Sequence, residues 1–81
     1  MEVRISFSES KRAWLRYRGD YHPVATMRSS LFREIVVSQC PHAEQNPMLF
    51  QPEIDELTRW YILTRYPVKL FYLEKGVFVD R

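Results

Sequence analysis

The last third of the chain constrains the fold most, because it holds short apolar runs separated by signals for tight turns. Residues 68–73 and 77–79 are rich in aromatic and β-branched side chains, and Lys75 and Gly76 stand between the two runs. Such side chains suit a pleated, half-buried surface, and a short connection that ends in glycine suits a hairpin turn with positive φ. Residues 59–66 carry a similar mix of aromatic residues and cations. We therefore predict a three-stranded antiparallel meander at the C-terminus.

Size and composition set the class of protein. A length of 81 residues predicts a single domain, residues 1–81. A domain of this size buries only a modest core, so its stability is expected to be marginal or completed by a partner. A hydrophobic fraction of 46% with 27% charged residues is typical of a globular protein rather than a disordered one. The formal net charge of +2 is too small to indicate nucleic-acid binding by itself.

Cysteine content and hydropathy indicate a cytoplasmic protein without a membrane partner. Cys40 is the only cysteine, so the chain forms no internal disulfide and no cysteine-based metal site. No apolar run approaches the roughly 18 to 20 residues that cross a bilayer. The N-terminus alternates polar and apolar residues, which differs from the apolar core of a signal peptide.

The N-terminal part predicts a strand followed by a short basic helix. Val3, Ile5 and Phe7 alternate with polar residues, the period-two pattern of a strand with one buried face. Ser8 is a candidate helix cap, and residues 11–18 read as a helix that ends at Gly19.

A second, amphipathic helix follows and is expected to be the main core helix. Pro23 suits its first turn, and Pro41 stops it. Its apolar residues recur at spacings of three and four: Val24, Met27, Leu31 and Ile35. Residues 41–52 contain three prolines, Pro41, Pro47 and Pro52, and read as an ordered loop that lies over the core.

The order of these elements predicts an α+β fold. An N-terminal strand and two helices precede the three-stranded antiparallel meander, and the helices pack on one face of the sheet. Half of the aromatic side chains of the meander then face the helices. The other half leave an apolar patch on the opposite face, which in so small a protein is typical of a partner surface.

At this level the chain resembles the ParE/RelE superfamily of toxins from type II toxin–antitoxin systems. The resemblance rests on Asn46-Pro47 after the second helix, Arg65-Tyr66-Pro67 before the central strand, and the aromatic pair Phe71-Tyr72 inside it. It implies a small cytoplasmic bacterial toxin that an antitoxin holds inactive with an extended C-terminal segment. ParE-like members poison DNA gyrase, and RelE-like members cut mRNA on the ribosome. The chain ends at Arg81 without the basic or tyrosine-bearing tail of the nucleases, which favours gyrase as the target.

The candidate binding residues are cations and tyrosines. They supply positive charge for a target or partner, and hydroxyls beside it: Arg12, Arg16, Arg59, Tyr61, Arg65, Lys69, Tyr72 and Arg81. No residue is an obvious general base, because His42 has no orienting partner in sequence and reads as a surface loop residue. We assign no catalytic residue, no cofactor and no metal site.

Three hypotheses follow. The first is a toxin that binds gyrase and is neutralised by an antitoxin, for which charge reversal at Arg59 and Arg65 should relieve growth arrest. The second is a RelE-like endoribonuclease acting at the ribosome. The third is a small non-toxic interaction protein, such as a phage-encoded inhibitor or adaptor. Self-association into a homo-oligomer stays open in each case.

Overall fold

The computed structural model describes residues 4–81 and confirms the predicted α+β class, with a different arrangement of elements. The sheet has four antiparallel strands in the order β2-β1-β3-β4 and consists of two hairpins rather than a meander. The helices and strands, in chain order, are α1 (Phe7–Ser10), β1 (Trp14–Tyr17), β2 (Asp20–Pro23), α2 (Ser29–Gln39), α3 (Glu56–Arg65), β3 (Phe71–Glu74) and β4 (Val77–Asp80).

Residues 4–20 fold differently from the prediction. Val3 lies outside the described residues, and Phe7 begins α1 instead of continuing a strand. Ser6, not Ser8, caps this helix: its hydroxyl accepts the Glu9 N–H at 3.1 Å, and the Glu9 carboxylate accepts the Ser6 N–H. The predicted helix over residues 11–18 is wrong, because β1 occupies Trp14–Tyr17.

Residues 11–18 do not form the predicted helix because a tight turn follows Tyr17. Arg18 and Gly19 have φ values of 53° and 85°, which form a two-residue hairpin turn between β1 and β2. The sequence pattern predicts a helix exit at the same glycine, and a helix exit also needs positive φ. Lys75 and Gly76, with φ values of 52° and 78°, form the equivalent turn between β3 and β4, as predicted.

The second helix is confirmed as the main core helix, although it begins later than expected. Pro23 ends β2, an edge strand in which a missing N–H costs no ladder bond, and α2 starts at Ser29. Phe32, Ile35 and Val36 are fully buried on its inner side. Pro41 stops the helix after Gln39, as predicted.

The proline-rich segment lies over the core as expected, but with more regular structure. Two 3-10 helices, Pro41–Gln45 and Pro47–Phe50, each begin with a proline. The Asn46 side chain caps the second by accepting the Met48 N–H at 3.0 Å. Within this segment, Leu49 is fully buried, whereas Phe50 is 47% exposed.

Residues 59–65 are helical, so the predicted first strand of the meander is wrong. The Asp55 carboxylate accepts the Thr58 N–H at 2.8 Å and caps α3, and Glu56 follows in its first turn. Ile62 and Leu63 are fully buried on the inner side of the helix. Capping and the three-to-four spacing therefore outweigh the strand preference of the aromatic residues in this segment.

The sheet has one face on the core and one away from it. Leu15 of β1 and Tyr72 of β3 join Phe32 of α2 and Ile62 of α3 in a single buried cluster. Strand residues alternate in direction, so Trp14 and Phe71, which pair across β1 and β3, lie on the opposite, outer face. This outer face carries part of the candidate site.

Candidate binding surfaces

Arg59 is a buried structural residue. It does not lie on a surface where a partner could contact it, although the sequence pattern predicts it to be a binding residue. Its side chain is only 5% exposed. The guanidinium donates to the carbonyl oxygens of Ile54, at 2.8 Å, and Val24, and it lies 3.5 Å from the Ser29 hydroxyl. Burial lowers its pKa from the usual value. Arg59 thus joins α3 to the segments before α2 and α3.

The outer face of the sheet carries four aromatic rings that pack on one another. Tyr21 stacks on Phe78 at 3.9 Å between ring centroids and meets Phe71 edge-on at 5.2 Å. Trp14 meets Phe78 edge-on at 4.8 Å. Phe71 is therefore only 8% exposed, although it lies outside the main core. The expected open apolar face is in this way partly closed by its own side chains.

Arg16 and Lys69 lie at the rim of these rings. The Arg16 guanidinium is 5.5 Å from the centre of the Tyr21 ring, and the Lys69 ammonium is 5.6 Å from that of Phe71. Lys69 also pairs with Asp80 at 3.1 Å. Both cations are exposed, but they cover aromatic surface and do not converge with the other predicted residues.

Three of the predicted residues do converge. Arg12, Tyr72 and Arg81 line a cleft of about 400 Å³ beside β3. β1 pairs with β3 only through Trp14 and Phe71. β3 continues past this pair, whereas the chain before Trp14 turns into α1, so the next part of β3 has no neighbouring strand on this side and the cleft forms there. We call it the β3 cleft, and the described residues that line it are Glu9, Arg12, Trp14, Tyr72, Leu73, Glu74 and Arg81.

Charges in the β3 cleft are balanced. The Arg81 guanidinium lies 4.6 Å from the centre of the Tyr72 ring and hydrogen bonds to the Glu74 carboxylate, which raises the pKa of Arg81. Burial, reinforced by Glu9, raises the pKa of the Tyr72 hydroxyl. Tyr72 is thus a neutral hydrogen-bonding group at pH 7, beside the two cations Arg12 and Arg81 and two carboxylates.

Tyr61 and Arg65 lie elsewhere, at the C-terminal end of α3. Arg65 donates to the Tyr61 hydroxyl at 2.6 Å, and its guanidinium is 5.1 Å from the centre of that ring. They line a groove of about 380 Å³ together with His42, which was predicted to be a surface loop residue and is exposed. The eight predicted residues therefore separate into a buried structural residue, two rim cations, three cleft residues and two groove residues.

Sequence reasoning missed several residues of these surfaces. Trp14 and Leu73 enter the β3 cleft from the outer face of the sheet, and Glu9 enters from α1. The sequence pattern predicts a helix at Trp14 and therefore does not indicate its pairing with Phe71. The Arg18-Gly19 dipeptide, interpreted as a hairpin turn like Lys75-Gly76, is the signal that would have placed Trp14 in the sheet.

Other chemical groups are accounted for by the fold. Cys40 is 3% exposed, and burial raises the pKa of its thiol, which makes it a poor nucleophile. Within residues 4–81, no three His, Cys, Asp or Glu side chains are grouped to hold a metal ion. No helix of the described part of the chain is long and apolar enough to cross a membrane. Comparison of the chain with protein-family models, curated proteins and solved structures gave no match.

Proposed function

We propose that this protein acts by binding a partner protein, and that the β3 cleft is part of the contact. The observation that carries the proposal is the convergence of Arg12, Trp14, Tyr72 and Arg81 in one cleft. Trp, Tyr and Arg are the residue types that most often dominate the binding energy of protein interfaces. Leu73, which is 50% exposed at the mouth of the cleft, adds apolar surface that a partner would cover.

The open edge of β3 supports a partner with an extended segment. Glu74 pairs with Val77 across the turn, and Leu73 pairs with Phe78. Backbone hydrogen bonds alternate along an antiparallel ladder, so the N–H and C=O of Leu73 point away from β4 and into the cleft. An extended peptide can satisfy these groups while its side chains reach the aromatic residues beside them.

The charge balance favours a protein over a nucleic acid at this site. A phosphate backbone that approaches Arg12 and Arg81 also approaches Glu9 and Glu74, and the opposite charges offset each other. A protein segment with mixed charges can place opposite charges against each of these groups.

The resemblance to ParE/RelE toxins narrows the proposal to a toxin whose partners are an antitoxin and a host target, with DNA gyrase preferred. An antitoxin segment suits the open strand edge, which supports this narrower form. The helical conformation of residues 59–65 does not add support, since the family places a strand there. The RelE-like ribonuclease and the phage-encoded inhibitor or adaptor remain the alternatives, and the experiments below distinguish them.

Site-specific photo-crosslinking in living bacteria tests the binding proposal. A photo-reactive amino acid at Leu73 should give a discrete adduct, whereas the same amino acid at Leu57, which is 59% exposed on α3 and outside the cleft, should not. The substitution Arg12→Glu should abolish the adduct at position 73. Adducts of equal strength at both positions, or an adduct that survives Arg12→Glu, would contradict the proposed contact.

Induced expression tests the toxin form. Wild-type protein should arrest growth, Arg12→Glu should relieve the arrest, and Arg28→Glu should not, because Arg28 is exposed at the start of α2 and outside the cleft. Normal growth with verified soluble wild-type protein would contradict the toxin hypothesis and leave the non-toxic inhibitor or adaptor as the remaining hypothesis. Arrest accompanied by codon-localised mRNA cuts would instead identify the ribonuclease.

A further inference from the structure

The groove at the end of α3 is separate from the β3 cleft and has a different chemistry. It lies between the last turn of α3 and the two 3-10 helices and has a volume of about 380 Å³. This is within the range of small-molecule sites, roughly 300 to 1,000 Å³. We call it the α3 groove, and it is lined by His42, Gln45, Asn46, Pro47, Met48, Tyr61, Arg65 and Tyr66.

Two phenol groups of the α3 groove are held as hydrogen-bond donors. The Tyr61 hydroxyl accepts from Arg65 Nη1 at 2.6 Å, and the Tyr66 hydroxyl accepts from Asn46 Nδ2 at 3.1 Å. The orientation of the Asn46 amide is set by its oxygen, which accepts the Met48 N–H. Since each phenol oxygen already receives an N–H, the proton of each hydroxyl is available to an acceptor in the groove.

Charge in the groove has one sign. Arg65 keeps further N–H donors beyond the one given to Tyr61, and the imidazole of His42 and the amide of Gln45 supply more. Among residues 4–81, no Asp or Glu lines the groove, in contrast to the β3 cleft. Several hydrogen-bond donors that line one groove beside a cation are suited to an oxyanion.

Arg18 shows that the contact of an arginine with a tyrosine is not by itself such a site. Its guanidinium is 5.1 Å from the centre of the Tyr17 ring, the same distance as between Arg65 and Tyr61. The Tyr17 hydroxyl, however, donates to the Glu34 carboxylate, which raises the pKa of Tyr17 and places a negative charge beside the pair. The α3 groove differs from this pair in that none of its described lining residues carries a carboxylate.

We propose that the α3 groove binds the terminal phosphate group of a nucleotide or of a single-stranded nucleic acid. An arginine fork, two phenol protons and an imidazole offer more donors than the two oxygens of a carboxylate accept, but suit the three terminal oxygens of a phosphate monoester. The rings of His42 and Tyr66, with centroids 5.4 Å apart, provide aromatic surface for the attached base. This inference does not depend on the proposed protein partner.

Titration of the ¹⁵N-labelled protein, followed by amide NMR shifts, tests the proposal. The probes are inorganic phosphate, a uridine mononucleotide and a short oligouridine that carries a 5′-phosphate, each added to about 10 mM or to saturation. Saturable shifts are expected at residues 42, 45, 46, 65 and 66. Arg65→Gln should weaken binding at least tenfold, which corresponds to the loss of one charge-assisted hydrogen bond of about 1.4 kcal/mol. Tyr66→Phe, which keeps the ring, should weaken it severalfold.

Arg18→Gln is the matched control, because it removes the same charge from a similar tyrosine and should change affinity less than twofold. An oligouridine that binds more tightly than the mononucleotide, with a steep salt dependence, identifies a nucleic-acid strand as the ligand. Equal affinities identify a free nucleotide. Absence of saturable shifts, shifts centred on other cations, or equal losses from Arg65→Gln and Arg18→Gln would overturn the proposal. Unchanged amide dispersion of each variant establishes that it is folded.

Discussion

Replacing Arg59 with methionine should destabilise the protein strongly, although methionine preserves much of the apolar stem. The substitution leaves the carbonyl oxygens of Val24 and Ile54 without their guanidinium donor, and both residues are almost fully buried. A buried acceptor that loses its donor costs about 1 to 3 kcal/mol, so two cost about 2 to 6 kcal/mol. Release of the guanidinium from its buried position offsets part of this, because desolvation of a charge is unfavourable.

We therefore expect Arg59→Met to lower the free energy of unfolding by about 2 to 4 kcal/mol. A domain of this size has roughly 4 to 12 kcal/mol in total, and a loss of that magnitude lowers Tm by roughly 10 to 30 °C. Arg59→Lys should fall between wild type and Arg59→Met, since one ammonium group cannot reproduce the guanidinium fork. Urea unfolding followed by circular dichroism measures both values.

The control is Arg28→Met, which removes an exposed arginine that makes no capping hydrogen bond and should change stability by less than about 0.5 kcal/mol. If Arg59→Met were as stable as this control, the guanidinium's hydrogen bonds would only match its desolvation cost, and the reasoning would be refuted. For the same reason charge reversal at Arg59 is unsuitable as a functional test, because loss of activity would report unfolding.

Three further predictions concern single interactions. Ser29→Ala should cost about 1 to 2 kcal/mol in urea unfolding, because the Ser29 hydroxyl accepts the buried Ile54 N–H at 2.8 Å. Gly76→Ala should cost about 1 kcal/mol, since φ is +78° there, and Gly76→Asn should cost less. The Thr58 N–H lowers the pKa of Asp55, so the stabilisation is present above the unfolded-state pKa and is lost as pH falls through the folded-state value. The fall in stability between pH 7 and pH 3 should therefore be smaller in Asp55→Asn than in wild type; an identical fall would contradict this assignment.

Part of the fold was predictable because local interactions decide it. The Lys75-Gly76 turn has few alternatives once φ must be positive at both positions, and α2 has a regular apolar spacing and a proline to end it. The hairpin at Arg18-Gly19 used the same chemistry, but the basic residues before it fit a helix equally well. Nothing local distinguishes a helix exit from a type I′ turn when only one strand of the hairpin is recognised.

The candidate surfaces were less predictable, because they depend on contacts between distant segments. Residue type alone, a cation or a tyrosine, indicates Arg12, Tyr72 and Arg81, which the fold brings together. The same criterion indicates Arg59, which the fold buries. The sequence offers no way to tell an arginine that binds a partner from one that binds the backbone of its own chain. That distinction depends on which carbonyl oxygens the folded chain places around the side chain.

The amino-acid sequence alone determined the α+β class, the main core helix and the C-terminal hairpin, because turn chemistry and apolar periodicity act over a few residues. Tertiary structure decided that residues 59–65 form a helix, that β1 joins β3, and that β1 begins only at Trp14, which leaves the β3 cleft open. Those outcomes follow from the burial of apolar surface over the whole chain, which no local pattern records.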